Sequence, residues 1–219
     1  PTPVTLGQPF KKGDIPQGYT LIAKNSSGER VHLQLDKKAT HKDGSLRHGI
    51  ISAILAKPAD NFLSFYAAKE NTASTLEPSV AELAGQGVSV KVIIQTSGKT
   101  YVAELNSETL SAPVKTWLNG PIVSEQVFRV PFKETSGQEH SRLHARFNAR
   151  KYTGQTNARI EIVVENTKLL WGDAQDISYD LQVTIDNKEV LSKPALYHFN
   201  HARWRKIFWW GEKPKDVHI

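Results

Sequence analysis

Hydrophobic and polar residues alternate along most of this chain, which is the pattern of β-strands with one buried face. In the first half the alternation is clearest at residues 31–36, where valine and leucine occupy the odd positions. In the second half it continues through 142–150, 160–165 and 177–185. Turn residues separate these stretches, so the pattern predicts many short antiparallel strands of an all-β protein.

One segment favours a helix. Ser79-Val80-Ala81-Glu82 matches a capping box, in which the serine and the glutamate satisfy free backbone N–H groups at a helix start. Pro78 precedes it and Gly85 closes it, so we expect one short helix of one or two turns here.

Residues 113–121 fit no regular element, because they contain two prolines and the turn pair Asn119-Gly120. We therefore place a domain boundary there. The prediction is one β domain over residues 1–112 and a second over residues 113–219.

The tripeptide Asp43-Gly44-Ser45 lies between two apolar runs and predicts a β-hairpin corner. His41, Asp43, Arg47 and His48 crowd this corner, and together they could bind a carboxylate or transfer a proton. The interpretation that we favour is structural, with Asp43 bonding turn amides and Arg47 bonding a neighbouring strand.

Composition narrows the classes of function. The net charge of +6 and the isoelectric point near 9.4 favour acidic partners such as phosphates, uronic acids or anionic cell surfaces. The alternative is that the charge only keeps the protein soluble. Cysteine is absent, which excludes disulfides and thiolate metal sites. No apolar run approaches the roughly 20 residues of a membrane helix. A chain that lacks methionine and begins with proline is expected to be a processed product or part of something longer.

Several short motifs resemble a known family. The opening Leu6-Gly7-Gln8-Pro9-Phe10, Lys12-Gly13-Asp14-Ile15-Pro16, the strand Val31 to Leu35 and Asp43-Gly44-Ser45-Leu46-Arg47 resemble the amino-terminal barrel of exo-rhamnogalacturonan-lyase-like proteins. Gly120-Pro121-Ile122-Val123, Arg142 to Arg150 and Arg159 to Asn166 look like the sandwich that follows it. The resemblance implies a small swapped-hairpin (RIFT-like) barrel followed by an antiparallel β-sandwich. Similar segments, with the run His201 to Lys206 and Phe208-Trp209-Trp210-Gly211, look like those of uncharacterised phage virion and tail proteins.

The sequence departs from the enzymes of that family. Their usual tryptophan before the Asp-Gly-Ser turn is replaced by His41-Lys42 or Thr40, and an aromatic expected soon after is His48. The helical toroid, which we expect to carry the chemistry, is missing from this sequence. Lyase activity is therefore not carried over, and we expect no enzyme activity from this chain.

Residues 142–150 predict a strand with one apolar and one basic face. We expect it to pair with residues 160–166 so that Arg150 opposes Glu161 and Arg146 opposes Glu165. Most of the basic face would then be neutralised internally, and Arg146→Ala would barely change stability or glycan binding. Acidic polysaccharide and nucleic acid are the alternative ligands, but the interleaved aromatics of RNA platforms are missing.

Two histidine pairs, His140 with His144 and His198 with His201, could bind zinc, but no third ligand completes a signature. We predict surface or core histidines, no metal site and no cofactor.

Three of the five tryptophans lie in the basic carboxy-terminal segment. Adjacent Trp209 and Trp210 cannot both point into one core from a strand, so at least one should be exposed or covered by a partner. We favour an interdomain or intersubunit contact over stacking on sugar rings. The predicted binding residues of this segment are Arg203, Trp204, Arg205, Trp209 and Trp210.

Two functions follow. The first is a non-catalytic structural or attachment module of a phage particle or larger surface protein, virion-borne or extracellular, that assembles with protein partners, an adjacent domain or further copies of itself. The alternative is an accessory region of a polysaccharide lyase-like enzyme that binds an acidic glycan. Neither function includes nucleic acid or a membrane span.

Overall fold

The computed structural model describes residues 2–56, 62–69, 80–167 and 175–214. These residues form fifteen strands and two short helices, so the predicted all-β class is confirmed. The strands are β1 (Thr2–Pro9), β2 (Tyr19–Asn25), β3 (Arg30–Val31), β4 (Leu33–Thr40), β5 (Leu46–Leu55), β6 (Leu63–Lys69), β7 (Val90–Thr96), β8 (Lys99–Leu105), β9 (Lys115–Leu118), β10 (Val123–Lys133), β11 (Glu139–Tyr152), β12 (Ala158–Glu165), β13 (Ile177–Ile185), β14 (Lys188–His198) and β15 (Arg203–Trp210). The helices are α1 (Glu82–Gly85) and α2 (Ser107–Leu110).

The first six strands form a small barrel. They make two three-stranded sheets, in the orders β1-β5-β4 and β3-β2-β6. Both sheets contribute to one buried cluster, with Ala23 and Val31 from one and Ala53 from the other. A second cluster of the barrel, around Leu21 and Ile51, also joins β2 to β5. The two sheets therefore enclose a common core.

The remaining strands form one sheet that folds over itself into a sandwich. Its order is β14-β13-β7-β8-β10-β11-β12-β15, and β9 pairs with β10. β8 and β10 share a single residue pair, Val102 with Lys133, and this pair joins the two halves of the sheet. Phe128 and Phe147 on one half pack in the same core as Val92 and Leu181 on the other, all four buried. This core is the largest in the described residues.

The strands β7 and β8 precede the predicted boundary at residue 113, yet they belong to the sandwich. β7 pairs with β13 along six residues, from Val90 opposite Ile185 to Gln95 opposite Asp180. Leu83 of α1 and Leu110 of α2 are buried in the same core. Residues 80–112 therefore pack with the second part of the chain.

The helices differ from the single helix that the sequence predicts. α1 begins at Glu82 after Ala81, which makes no side-chain capping hydrogen bond, and Ser79 of the expected capping box lies outside the described residues. α2 is additional, and its N-cap is Asn106, whose side chain accepts a hydrogen bond from Thr109 N at 3.0 Å. In the parts of the chain described, no helix is long and apolar enough to cross a membrane.

β11 and β12 pair antiparallel, but two residues out of the predicted register. Arg146 lies opposite Val163, Asn148 opposite Glu161 and Phe147 opposite Ile162. The predicted faces are confirmed, because a shift of two residues keeps every side chain on its own side of the sheet. The predicted register is wrong, because Arg150 does not lie opposite Glu161 and Arg146 does not lie opposite Glu165.

β4 differs from the predicted strand because both of its faces are covered. The strand pattern breaks at His32, which separates β3 from β4. Gln34, predicted to face solvent, is 5% exposed, and its Oε1 accepts hydrogen bonds from Ile122 N at 2.9 Å and Val123 N at 2.8 Å. Its Nε2 donates to Val123 O at 3.0 Å. This buried amide joins the barrel to the sandwich.

Candidate functional site

The hairpin corner between β4 and β5 forms as the sequence predicts. Gly44 has φ of +82°, a left-handed conformation that glycine adopts without strain. The Asp43 carboxylate accepts hydrogen bonds from Ser45 N at 3.1 Å and Ser45 Oγ at 2.6 Å. These bonds lower the pKa of Asp43, which is fully exposed to solvent. The predicted role of Asp43 in bonding the turn is confirmed.

The other polar residues of this corner do not converge on a site. His41 Nε2 lies 3.1 Å from Phe10 O, and the Ser45 hydroxyl accepts a hydrogen bond from Gly13 N at 3.0 Å. Arg47 is exposed, and His48 lies opposite Pro9 in the β1–β5 pairing. The contacts of His41 and Ser45 hold the corner against the loop of residues 10–18. The role of both residues is therefore structural.

The histidine pairs also have structural partners. His140 Nδ1 accepts backbone hydrogen bonds from Arg142 N at 3.1 Å and Leu143 N at 3.0 Å. His198 is buried, with Nδ1 2.8 Å from the Tyr179 hydroxyl and Nε2 3.0 Å from Ala202 O. The described residues contain no group of three histidine, aspartate or glutamate side chains placed to hold a metal.

The carboxy-terminal aromatic segment is the edge strand β15, and its tryptophans divide between two faces. Trp204 and Trp210 pack against the sandwich core beside the buried Phe208. The Trp210 indole donates a hydrogen bond to Asp186 Oδ2 at 2.7 Å. Trp209 lies half-buried on the other face, opposite Arg159. The three tryptophans are thus partly covered by the chain itself. The contact of this segment with a partner stays a prediction.

The same strand completes a cationic surface. Cross-strand pairing aligns the outward side chains of β10, β11, β12 and β15, and we call this surface the arginine face. Its residues are the six arginines Arg129, Arg146, Arg150, Arg159, Arg203 and Arg205 and the three glutamates Glu125, Glu161 and Glu165.

All three glutamates of the arginine face pair with arginines. Arg150 Nε donates a hydrogen bond to Glu125, and both side chains are largely buried. Glu165 Oε1 lies 3.0 Å from Arg203 Nε and 3.8 Å from Arg146 Nη2. The predicted internal neutralisation is confirmed for Arg146 and Arg150, with Glu125 of β10 in place of Glu161 as the partner of Arg150.

Glu161 makes the remaining contacts of this group. Its Oε1 lies 3.9 Å from Arg205 Nη1, and its Oε2 accepts a hydrogen bond from Asn148 Nδ2 at 2.8 Å. Glu161 is therefore shared between an exposed arginine and an amide, and every carboxylate of the face is engaged.

The barrel carries a different surface, which sequence reasoning missed. β6 is the edge strand of its sheet and pairs with β2 among the described strands. Phe62, Phe65 and Tyr66 are 69%, 42% and 50% exposed. The seven residues 62–68 carry no charge, and this uncharged aromatic run was the available sequence signal. Its exposure could not be read from the pattern, because a buried strand has the same composition.

Comparison with known proteins identifies the barrel. Residues 1–63 match the family model described as PcRGLX-like N-terminal RIFT barrel domain. This confirms the resemblance of the amino-terminal motifs to exo-rhamnogalacturonan-lyase-like proteins. The match ends at residue 63, so the resemblance of the sandwich and the similarity to phage proteins stay predictions. No curated protein matches the chain.

Proposed function

We propose that this chain is a non-catalytic structural or attachment module that works by protein–protein assembly, as part of a phage particle or a larger surface protein. The observation that carries the proposal is the exposed edge strand β6, which pairs with β2 among the described strands and has exposed aromatic side chains. A free strand edge offers unpaired backbone groups to another strand, and natural proteins usually protect such edges with charges, prolines or bulges. Among the residues of β6, only Lys69 offers such protection.

The occupant that we propose for this edge is β6 of a second copy of the chain. Antiparallel pairing centred on Phe65 would place the two copies of Phe65 directly opposite each other at the two-fold axis, and aromatic cross-strand pairs are stabilising. The two copies of Lys69 would then lie roughly 27 Å apart along the strands. That separation exceeds the Debye length of about 8 Å at physiological salt, so the net positive charge of β6 does not oppose pairing.

The charged groups of the described residues support a non-catalytic role. Catalysis needs a nucleophile, acid or metal held with a positioned partner where water is excluded. The corner residue Asp43 is solvated and bonded to its own turn, and His198 is fixed between Tyr179 and a backbone carbonyl. These hydrogen bonds hold the two side chains in place within the fold, as expected of residues with a structural role.

The test compares the association state of the native chain with that of an edge-charged variant. Phe65→Lys places a second charge on β6, and we expect it to convert a concentration-dependent dimer into a monomer in sedimentation equilibrium. Val190→Lys is the matched control, because Val190 is 41% exposed on β14, the edge strand of the other sheet. This control should dimerise like the native chain.

Three results would contradict the proposal. The native chain could remain monomeric at every concentration, or Phe65→Lys could dimerise unchanged. The purified chain could also cleave an acidic polysaccharide unaided, which would place it among the enzymes.

A further inference from the structure

The asparagine of the pair Asn119-Gly120 has a side chain that no hydrogen bond fixes within the described chain. Asn119 is exposed, and the hydrogen bond that it makes there comes from its backbone, where Asn119 N donates to Asp36 Oδ1 at 2.9 Å. Most other asparagines among the described residues hold their side-chain amide in a hydrogen bond, namely Asn25, Asn106, Asn148, Asn157, Asn166 and Asn187. The amide of Asn119 is therefore able to turn towards its own backbone.

The next residue offers this amide an unhindered backbone nitrogen. Gly120 has no Cβ atom, so no side chain of its own obstructs the approach of its nitrogen to Asn119 Cγ. Within the described chain, Gly120 N makes no hydrogen bond. Gly120 is buried against Gln34, which lies on the side where a Cβ atom would point. The nitrogen can therefore act as a nucleophile towards the amide that precedes it.

Asn200 provides an internal comparison, because its own contacts are like those of Asn119. Its side-chain amide also lacks a hydrogen bond among the described residues, and its backbone N donates to Asp176 Oδ1 at 2.8 Å. The residue that follows, however, is His201, whose N donates to Asn166 O at 2.7 Å. A side chain and a hydrogen bond therefore both oppose attack by His201 N on Asn200.

We propose that Asn119 deamidates spontaneously and that the product loosens the contact between the barrel and the sandwich. In this reaction Gly120 N attacks Asn119 Cγ, the bond from Cγ to the side-chain nitrogen breaks, and ammonia leaves with the proton that Gly120 N gives up. The product is a five-membered succinimide ring. Water then opens the ring at either of its carbonyl groups and gives aspartate or isoaspartate, so water is the only other reactant.

Isoaspartate changes the main chain close to the contact between the two parts of the chain. Its backbone runs through the side-chain carbon, so the main chain gains one atom directly after Asn119. A few residues later, Ile122 N and Val123 N both donate to the buried Gln34 Oε1. A longer chain before these two donors displaces them from their acceptor. Both products also add a negative charge near the Asp36 carboxylate, which repels it.

The experiment follows the tryptic peptide of residues 116–129 by mass spectrometry after incubation of the folded chain at about pH 6 and about pH 9. We expect Asn119 to be converted about tenfold or more faster than Asn200, because misplaced reacting groups lose on the order of 10²-fold in rate. Conversion should be faster at the higher pH, because Gly120 N must lose its proton in the attack. Asn119→Gln is the control variant, because it keeps the amide but its longer side chain does not form the five-membered ring.

The midpoint of chemical unfolding tests the structural effect of the modification. It should fall in the incubated native chain in proportion to the converted fraction of Asn119, whereas the incubated Asn119→Gln variant should keep the midpoint of its fresh sample. An unmodified peptide after incubation at the higher pH, or equal rates at Asn119 and Asn200, would overturn the assignment of the site. Conversion of Asn119 with an unchanged midpoint would overturn the proposed effect on the contact between the barrel and the sandwich.

Discussion

At the scale of single residues, two partly buried histidines couple stability to pH. Burial lowers the pKa of His140, which Arg142 and His144 lower further, and burial also lowers the pKa of His198. In the unfolded chain both would titrate near the ordinary value of about 6.5. Acidification below that value therefore protonates the unfolded state first and favours unfolding.

We predict that the free energy of unfolding falls as the pH drops from 7 to 5, and that His140→Gln makes this fall shallower. The reason is that the variant no longer gains a proton on unfolding in that window. Urea denaturation at a series of pH values measures the slope. His32→Gln is the control, because His32 is exposed between β3 and β4. An unchanged slope in His140→Gln would show that His140 is protonated equally in both states.

The acidic groups affect stability in a different pH range from the histidines. Hydrogen bonds lower the pKa of Asp43, Glu134 and Asp176, so the stability that these groups contribute is lost only as the pH falls through pKa values below the ordinary carboxylate values. A measurement between pH 5 and 7 thus reports mainly on the histidines.

Residue identity predicted local bonds better than long-range ones. The role of Asp43 followed from the turn chemistry of Asp-Gly-Ser, because its partner Ser45 is two residues away. The burial of Gln34 could not follow from sequence, because its partner Val123 is 89 residues away. A polar residue in an alternating strand is assigned to the solvent side unless another part of the chain is known to cover it.

At the scale of elements, the alternation of polar and apolar residues predicts which side of the sheet a side chain faces. It does not predict which residue lies opposite on the neighbouring strand. The alternation in β11 and β12 correctly separated the arginines from Ile162, since any even shift preserves the faces. The register predicted from pairing opposite charges is wrong, because Arg150 binds Glu125 of β10 and not a glutamate of β12. Nothing in the sequence indicates this partner. Prediction of the register needed the strand on the other side of β11.

The contact of β4 with residues 119–123 depends on the buried amide of Gln34. Gln34→Leu should lower the free energy of unfolding by about 2–4 kcal/mol, because it leaves the buried Ile122 and Val123 N–H groups without an acceptor. Gln95→Leu, on an exposed position of β7, is the control and should change stability by about 0.5 kcal/mol or less. Chemical denaturation measures both.

A substitution at Gly120 would disturb the same contact between β4 and residues 119–123. A Cβ atom at this position would lie 2.6 Å from Gln34 Cδ, so Gly120→Ala forces the buried amide to move. If Gln34→Leu and Gly120→Ala were both without effect on the unfolding midpoint, the amide would not be what holds the barrel against the sandwich.

At the scale of the whole molecule, the order of strands shows that the sandwich begins before the predicted boundary at residue 113. β7 and β8 form a local hairpin, and local sequence cannot tell which larger sheet a hairpin joins. β7 pairs with β13, whose residues follow 85 to 95 positions later, from Val90 opposite Ile185 to Gln95 opposite Asp180. Residues 113–121, which were expected to fit no regular element, contain the short strand β9, and β9 pairs with β10. The sandwich core therefore continues across this stretch.

This arrangement predicts different behaviour for two fragments. A fragment of residues 113–219 lacks β7 and β8, so it loses buried core residues such as Val92, Ile94 and Leu105 and exposes the edge of β13. Losing several fully buried aliphatic side chains at about 1.5–3 kcal/mol each exceeds the typical stability of a domain of roughly 5–15 kcal/mol. We expect this fragment to be unfolded.

A fragment of residues 80–219 keeps every buried residue of the sandwich core and exposes only its contact with the barrel, around Ile122 and Tyr152. It should therefore unfold cooperatively, with a lower midpoint than the full chain because Gln34 and Ile50 are missing. Thermal unfolding followed by near-ultraviolet circular dichroism distinguishes the two fragments. A cooperative transition in residues 113–219 would mean that β7 and β8 are dispensable for the sandwich, and that its core can close without them.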